Sequence, residues 1–369
     1  MTHDIVNVTR MRQLRRVVAL GGGTGLPAVL SGLRRHLPAE CQITAVVTAA
    51  DDGGSSGILR AQYGVLPPGD IRNCLIALAR VAPEVTAALL CRLSVSSGPD
   101  HAVGNLLLTA LYMVAADEIA AIRLAASMLG IEDVILPSTT TRVNLVADLA
   151  DGRRVCGESA IPHSGARVLR LAIEPSDASP AAGVLEALDA ADVVILGPGS
   201  FYTSVLATLI VPGIAEAVVT TRALKIFICN LMTEPGETDG FGVAAHLEAL
   251  RAHGLPPEAL DYVVINDGPI PAKVRARYAA EGAEPVSVDF EVSAVRPLVV
   301  TTDLLARGPV VRHDHDKIGR FLCALASPDG PEQDGFPSPA AESRGRPKLD
   351  HVAVDLARPK VSSNAPPTP

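Results

Sequence analysis

The segment that most constrains the fold covers residues 16–33 and reads RVVALGGGTGLPAVLSGL. An apolar, β-branched run leads into four glycines among the five residues 21–25, and an apolar segment with helical spacing follows at once. This order predicts a strand at 16–20, a tight turn, and a helix at 26–36. Backbone N–H groups and a helix N-terminus that meet at such a turn favour an anion. The sequence therefore predicts a phosphate-bearing or nucleotide-like ligand.

The same alternation of strand and helix recurs along the chain. A second apolar strand is expected at 43–49, followed by an acidic glycine-rich loop at 51–57 and a helix near 70–81, and the rhythm resumes after Asp192. Continuous apolar strands that alternate with helices are typical of parallel sheets with right-handed crossovers. We therefore predict an α/β fold with a Rossmann-like, doubly wound and mostly parallel sheet.

The middle of the chain interrupts this rhythm. Residues 83–130 are rich in Ala and Leu and predict helices, whereas Asp151-Gly152 separates two strand-like runs and predicts a β-hairpin. We expect a helical and β-hairpin insertion over about 83–190.

One large domain with polar ends is the expected organisation. We predict a flexible leader at 1–14, a single nucleotide-binding domain at 15–326, and a disordered tail rich in Pro and Ser at 327–369. The tail holds too few apolar residues to offset its ordering entropy. The leader carries arginines without an apolar run behind them, so a secretory signal is not expected.

Composition narrows the range of partners and compartments. A formal net charge of −8 and the absence of Trp argue against a nucleic-acid partner, which requires clustered cations or stacking surfaces. Six scattered cysteines without a CxxC pair indicate reduced thiols and a cytoplasmic location. Glycines and prolines interrupt the long uncharged run at 193–215, so membrane insertion is not expected either.

The loop at 21–25 is only a partial dinucleotide-binding motif. Gly21 and Gly23 match the first two glycines of G-x-G-x-x-G, but Leu26 occupies the third position. This difference weakens the nicotinamide interpretation, and a structural tight turn is the alternative. Thr24 adds a hydroxyl that could contact a phosphate.

Acidic and basic residues follow in the next two loops. In ADDGGSSG, Asp51 has the position of a ribose-binding acid, and Asp51 with Asp52 could hold a hydrated Mg²⁺ ion; a turn with helix caps is the alternative. In LPPGDIRN, Asp70 is suited to a helix N-cap, while Arg72 and Asn73 are candidates for ligand contact.

A second glycine-rich loop, GPGSFYTS at 197–204, follows a strand in the other half of the chain. Its candidates are Gly199, Ser200 and Thr203, with an ordinary turn as the alternative. In a doubly wound sheet, two such loops at strand carboxyl ends converge on one crevice. We therefore expect a diphosphate to bridge them.

The strings GGGTGL, ADDGGSSG, LPPGDIRN, HAVGN, LGPGS and TEPGET occur in this order, and together they resemble the gluconeogenesis factor family over about residues 16–325. That family is CofD-like and belongs to the 2-phospho-L-lactate transferase superfamily. The resemblance implies a nucleotide-binding core, UDP-sugars such as UDP-N-acetylglucosamine as ligands, and a cytoplasmic role in carbon metabolism, cell shape and envelope synthesis. It also implies ligand-facing roles for Asn105, Asn230, Tyr278 and Arg312.

Two functions stay open after this comparison of motifs. The first is a UDP-sugar-binding regulator that needs no cofactor, and the second is a Mg²⁺-dependent transferase of the kind that acts in coenzyme F420 assembly. A nicotinamide-dependent oxidoreductase is a third, less supported alternative. No pair of catalytic residues can be named from the spacing of the motifs. A homo-oligomer is expected, and the identity of a protein partner is open.

The nucleotide- or phosphate-binding candidates are Gly22, Gly23, Thr24, Gly25, Asp51, Asp52, Asp70, Arg72, Asn73, Asn105, Gly197, Gly199, Ser200, Thr203, Asn230, Tyr278 and Arg312.

Overall fold

The computed structural model describes residues 14–94, 100–289 and 297–326. Its strands are, in chain order, β1 (Arg16–Gly21), β2 (Gln42–Val47), β3 (Arg92–Leu93), β4 (His101–Ala102), β5 (Val134–Pro137), β6 (Asn144–Leu149), β7 (Arg154–Cys156), β8 (Val168–Glu174), β9 (Val193–Leu196), β10 (Leu224–Ile228), β11 (Tyr262–Asn266) and β12 (Leu298–Thr302). Its α-helices are α1 (Gly25–His36), α2 (Gly54–Tyr63), α3 (Pro68–Leu78), α4 (Pro83–Leu90), α5 (Val103–Val114), α6 (Glu118–Met128), α7 (Val184–Asp189), α8 (Ala207–Leu209), α9 (Ile214–Thr220), α10 (Val243–Ala252), α11 (Ala272–Ala280) and α12 (His315–Ala326). A π-helix covers Phe201–Leu206 and a 3₁₀ turn covers Pro257–Ala259.

The main sheet has seven strands in the order β12-β11-β10-β9-β1-β2-β5, and every neighbouring pair is parallel. From β1 the chain adds β2 and then β5 on one side, and afterwards it adds β9, β10, β11 and β12 in that order on the other side. This is a doubly wound arrangement, so the predicted Rossmann-like α/β fold is confirmed. All four residues of β9 are buried, as expected for a central strand covered by helices on both faces.

Most predicted elements near the site are present with small shifts in their ends. The expected strand, turn and helix at residues 16–36 are β1, the first glycine loop and α1, and the helix expected near 70–81 begins two residues earlier as α3. The loop predicted over the whole of 51–57 is wrong, because α2 already begins at Gly54. Ser56 is buried in the first turn of α2, where its Oγ accepts a hydrogen bond from the Gly69 amide at 3.1 Å. Packing between α2 and α3 thus overrides the loop-forming tendency of the Gly and Ser run.

The segment expected as an insertion, about 83–190, contains two separate additions. Helices α4 to α6 lie on the long crossover between β2 and β5, and β5 itself is an edge strand of the main sheet. After β5 the chain forms a three-stranded antiparallel sheet in the order β7-β6-β8. The predicted hairpin at Asp151-Gly152 is confirmed, because β6 and β7 pair across it with Asp148 opposite Arg154. The tail predicted at 327–369 lies outside the described residues, and so does the leader at 1–14 apart from Leu14.

Helix α1 is anchored to the rest of the fold through close backbone contact and a buried ion pair. A Cβ atom on Gly32 would lie 2.2 Å from the carbonyl oxygen of His315, so α1 and α12 approach each other at the level of their backbones. Arg34 contacts Asp133 with 3.1 Å between Nη1 and Oδ1, and the same carboxylate oxygen accepts the Ile43 amide of β2 at 3.0 Å. These contacts hold the helix that begins at the first glycine loop.

All six cysteines are in the thiol form. In the part of the chain that the structure describes, no single helix is both long and apolar enough to cross a bilayer. Within those residues, one consecutive pair of helical segments, Phe201–Leu209 and Ile214–Thr220, reaches that length and composition together, and its two parts are bent by 75°.

Candidate functional site

Two glycine loops follow neighbouring strands at the point where the strand order reverses. Strands β1 and β9 pair in parallel, with Leu20 opposite Leu196, so their carboxyl ends lie side by side. The first glycine loop (residues 21–25) continues β1, and the second glycine loop (residues 197–200) continues β9. In open α/β sheets, ligand crevices form outside the strand ends at this reversal.

The loops touch each other through backbone atoms. A Cβ atom on Gly25 would lie 2.2 Å from the carbonyl oxygen of Pro198 and 2.8 Å from the amide nitrogen of Gly199. Gly199 itself has φ +156°, and a Cβ there would lie 3.1 Å from the Gly22 carbonyl oxygen. Glycine is therefore needed at both positions for the two loops to converge, which is a stronger reason than turn formation alone.

A cavity of about 340 Å³ opens beside the two loops. We call it the central cavity. Its walls come from both glycine loops, the start of α1, the segment after β10, the end of α11, and the segment before α12. The sequence candidates that line it are Thr24, Gly25, Gly199, Ser200, Asn230, Tyr278 and Arg312.

Two of these candidates are held next to each other by the segment before α12. The Tyr278 hydroxyl accepts a hydrogen bond from the Val311 amide at 3.1 Å, and the Arg277 guanidinium lies 5.2 Å from the centroid of the Tyr278 ring. Arg277 also donates to the carbonyl oxygen of Pro309. The aromatic ring thus has a fixed position beside the exposed Arg312. An aromatic face and a guanidinium together can stack a base and bind a phosphate.

The remaining sequence candidates lie outside the lining of the central cavity. Three of them belong to the glycine loops themselves. The others lie in the acidic loop after β2, on α3, on α5 and in the π-helix. The candidates outside the lining are Gly22, Gly23, Asp51, Asp52, Asp70, Arg72, Asn73, Asn105, Gly197 and Thr203.

Helix α3 is joined to the first glycine loop by two side chains. The amide of Gly23 donates to Asp70 Oδ2 at 2.8 Å, and Asn73 Nδ2 donates to the Gly23 carbonyl oxygen at 3.5 Å. Burial raises the pKa of Asp70 to about 6, although the Gly23 amide opposes this shift. Asp70 is in the first turn of α3 but caps no amide of its own helix; Pro67 occupies the N-cap position. The expected N-cap is therefore wrong, and the carboxylate instead holds the first glycine loop in place through the Gly23 amide.

A polar network continues from α3 to α5 and α2. Arg72 donates to Asn73 at 2.8 Å and to Asn105 Oδ1 at 2.7 Å. Asn105 Nδ2 in turn donates to the Ser55 hydroxyl at 3.1 Å, and that hydroxyl lies 2.8 Å from His101 Nδ1. These contacts join the partly buried Arg72 and Asn73 and the buried Asn105 in one group behind the first glycine loop.

The acidic loop after β2 is bound to the segment after β7. Asp52 accepts the backbone amides of Glu158 and Ser159 at 3.0 and 2.8 Å, one on each carboxylate oxygen, and Asp51 accepts the Gly53 amide at 2.9 Å. Burial is the main cause that raises the pKa of Asp51, and burial followed by the charge of Asp51 raises the pKa of Glu158 to about 8. Shifts of this kind concentrate at functional sites.

Metal binding by these carboxylates has limited support. Among the described residues, no group of three or more His, Cys, Asp or Glu side chains is arranged to hold a metal ion. Both oxygens of Asp52 are already used by backbone amides. A Mg²⁺ ion bound mainly by water and substrate phosphates requires only one or two carboxylates, so Mg²⁺ at Asp51 and Asp52 stays a prediction.

Two glutamates of the TEPGET motif accept hydrogen bonds from the start of the π-helix that follows the second glycine loop. Glu234 accepts the Ser200 hydroxyl at 3.2 Å and the Phe201 amide at 3.1 Å. Glu237 accepts the Tyr202 amide at 3.0 Å and the Thr203 hydroxyl at 3.0 Å. The hydroxyl donors that the sequence predicted for a phosphate, those of Ser200 and Thr203, are therefore both hydrogen-bonded within the protein, and Thr203 is buried. Burial, followed by the neighbouring Glu237 charge, raises the pKa of Glu234 to about 7.

The central cavity also includes His313 and Glu281, which were absent from the sequence candidates, and Glu234 of the TEPGET motif. The TEPGET motif signalled Glu234, because two acids three residues apart follow a strand. In the sequence, His313 belongs to the run RHDHDK, whose two histidines without a third nearby ligand indicate at most a weak metal site. Glu281 has no comparable signal in the sequence.

The fold and the cavity define a doubly wound α/β protein with a crevice at the carboxyl ends of its central strands. The profile of the family 2-phospho-L-lactate transferase CofD matches residues 17–305. The gluconeogenesis factor of Bacillus subtilis is 39% identical over 320 residues, which cover 85% of this chain and 99% of that protein. The gluconeogenesis factor of Halalkalibacterium halodurans is 40% identical over 311 residues, covering 84% and 95% of the two chains. The chain therefore belongs to the gluconeogenesis factor family within the CofD-like superfamily.

Solved structures agree with this assignment. A crystal structure of a protein from Bacillus halodurans has a TM-score of 0.79 and 39% identity, and the match covers 83% of this chain and 98% of that one. A second crystal structure from the same organism, at 38% identity, has a TM-score of 0.77. The resemblance found in the six sequence motifs is thus confirmed.

Proposed function

We propose that this protein is a cytoplasmic regulator that binds a nucleotide sugar, with UDP-N-acetylglucosamine as the ligand to test first, and that it acts in carbon metabolism, cell shape and envelope synthesis. The observation that carries the proposal is the convergence of the two glycine loops on one cavity, which also contains Tyr278 and Arg312. The relatives named gluconeogenesis factors support the metabolic part of the proposal.

The chemistry of the central cavity suits the parts of such a ligand. The amide of Gly25, the first residue of α1, has no partner within the helix and lies at its positive end beside Thr24, whereas the next amide, that of Leu26, donates to the Gly22 carbonyl oxygen at 3.4 Å. A diphosphate at the loops would be favoured by this charge and by Arg312, which can contact two phosphate oxygens at once. The ring of Tyr278 offers an apolar face for the base. The ligand would need no metal or other cofactor to bind in this way.

Calorimetric titration with UDP-N-acetylglucosamine tests the proposal. We expect saturable binding by the full chain, and a loss of about tenfold or more in affinity for Arg312→Ala, since a hydrogen bond to a charged group contributes about 1.5–3 kcal/mol. Arg320→Ala is the matched control, because this exposed arginine contacts Asp316 on α12 and lies outside the cavity lining. The absence of a heat signal at millimolar ligand would contradict the proposal.

A second candidate function is a Mg²⁺-dependent transfer of a phospholactyl-type group from a nucleotide diphosphate carrier to an alcohol. The raised pKa values of Asp70 and Glu158 near the first glycine loop favour it, and so does the description of the family. Incubation with such a donor, a deazaflavin alcohol and Mg²⁺, followed by mass spectrometry, tests this function. Formation of the transferred product supports the transferase, and a reaction without product counts against it.

A further inference from the structure

Two residues that line the central cavity each contain a buried hydrogen-bond acceptor without a partner among the described residues. Asn230 donates through Nδ2 to the Gly199 carbonyl oxygen at 2.9 Å, which leaves its Oδ1 unpaired. His313 is hydrogen-bonded to the backbone of Cys229, and its Nε2 is unpaired. Asn230 follows β10 and His313 precedes α12, so the two residues reach the cavity from different elements.

Unpaired buried polar atoms are rare in folded proteins, because each has lost its hydrogen bonds to water. Two of them on one cavity indicate that a guest completes their hydrogen bonding. The chemistry of both atoms is defined. Oδ1 of an amide can only accept, and burial lowers the pKa of His313 to about 4, so its ring is neutral near pH 7. A neutral imidazole that donates through one nitrogen can only accept at the other.

The diphosphate of a nucleotide sugar cannot satisfy these atoms. Ionised phosphate oxygens are acceptors, as Asn230 Oδ1 and His313 Nε2 are, so bringing them together would leave both sides unpaired. Hydroxyl groups and amide N–H groups are donors, and a nucleotide sugar carries them on its sugar and on its base. The polarity of the cavity wall thus distinguishes the two ends of the ligand.

We infer that Asn230 and His313 are specificity-determining residues that accept hydrogen bonds from hydroxyl or amide N–H groups of the bound nucleotide sugar, while its diphosphate lies at the glycine loops. This inference rests on the proposed function and names the part of the ligand that these two residues select.

Two substitutions of His313 test the inference, because each of them keeps one of the two ring positions. In His313→Asn the shorter amide can still donate to the Cys229 backbone, but nothing replaces Nε2. In His313→Gln the longer amide brings an oxygen to the Nε2 position. We expect His313→Asn to bind UDP-N-acetylglucosamine about tenfold more weakly than the unmodified protein, and His313→Gln to recover most of this loss. His163→Asn, at an exposed histidine outside the cavity, is the matched control.

Titration with UDP alone identifies the donor. A loss confined to UDP-N-acetylglucosamine assigns the donor to the sugar, and an equal loss for UDP assigns it to the nucleoside; either result supports the inference. Thermal unfolding of each variant checks that the fold is retained. If the unmodified protein binds UDP-N-acetylglucosamine and His313→Asn binds it equally well, the inference is overturned while the proposed function stands. If the unmodified protein binds neither compound, both are overturned.

Discussion

Replacement of Gly25 by alanine is the sharpest test of the contact between the glycine loops. Its Cβ would lie 2.2 Å from the Pro198 carbonyl oxygen, whereas ordinary contact begins at 3.4 Å, so the loops must separate by about 1 Å. Strain of this kind in a packed region costs about 1–3 kcal/mol. The higher helix propensity of alanine returns about 1 kcal/mol, because Gly25 is the first residue of α1. We expect a net fall of up to about 2 kcal/mol in the free energy of unfolding.

We expect Gly25→Ala to weaken the affinity for the ligand more than it lowers the stability of the fold. Hydrogen bonds need donor and acceptor atoms about 2.7–3.2 Å apart, so a separation of about 1 Å breaks at least one contact between a bridging diphosphate and the loops. Loss of one hydrogen bond to a charged phosphate corresponds to at least about a tenfold weaker affinity for UDP-N-acetylglucosamine. Calorimetric titration measures the affinity, and urea unfolding measures the stability.

Gly53→Ala is the matched control for this experiment. It makes the same substitution at a glycine with negative φ, and the nearest atom to its Cβ would be a side-chain oxygen of Asp51 at 3.5 Å. We expect its affinity to stay within about twofold of the unmodified protein. The reasoning is refuted if Gly25→Ala keeps the affinity of the unmodified protein, because the loops would then not need to touch in order to hold the ligand.

Three further outcomes are expected. Asp133→Ala leaves Arg34 buried without its carboxylate and should lower the free energy of unfolding by about 3 kcal/mol in urea titrations, whereas Glu132→Ala, at an exposed ion pair, should change it by less than about 1 kcal/mol. The pKa of Glu158 is raised to about 8 in the folded protein from 4.5, so its stabilising effect is complete below about pH 4.5 and is lost as the pH rises through 8. Glu158→Gln should therefore flatten the fall in stability between pH 5 and pH 8.5; an unchanged pH profile would contradict the burial of this carboxyl. Light scattering should show a homo-oligomer, and a monomeric mass at all concentrations would disprove it.

The parts of the fold that follow from local sequence were predictable. The β1 strand, the first glycine loop and α1 are adjacent in the chain, and the apolar spacing and the glycines specify them directly. The meeting of the loops at 21–25 and 197–200 also followed, because parallel strands in a doubly wound sheet bring their carboxyl ends together. The six ordered motifs were sufficient for the family.

Contacts between distant residues were not predictable in the same way. Asp52 resembled a metal ligand in the sequence, but it accepts amides from a segment more than 100 residues away. Thr203 resembled a phosphate ligand, but Glu237 covers it from another loop. His313 gained its unpaired acceptor only because the segment before α12 folds over the end of β10. Such hydrogen bonds depend on the packed structure, and no local pattern encodes them.

A crystal structure of the protein with UDP-N-acetylglucosamine tests the central claim most directly. The account predicts electron density for the diphosphate between the start of α1 at Gly25 and the second glycine loop at Ser200, with the sugar or base near Asn230 and His313. Density for the ligand at any other place on the molecule, with the central cavity empty, would contradict it.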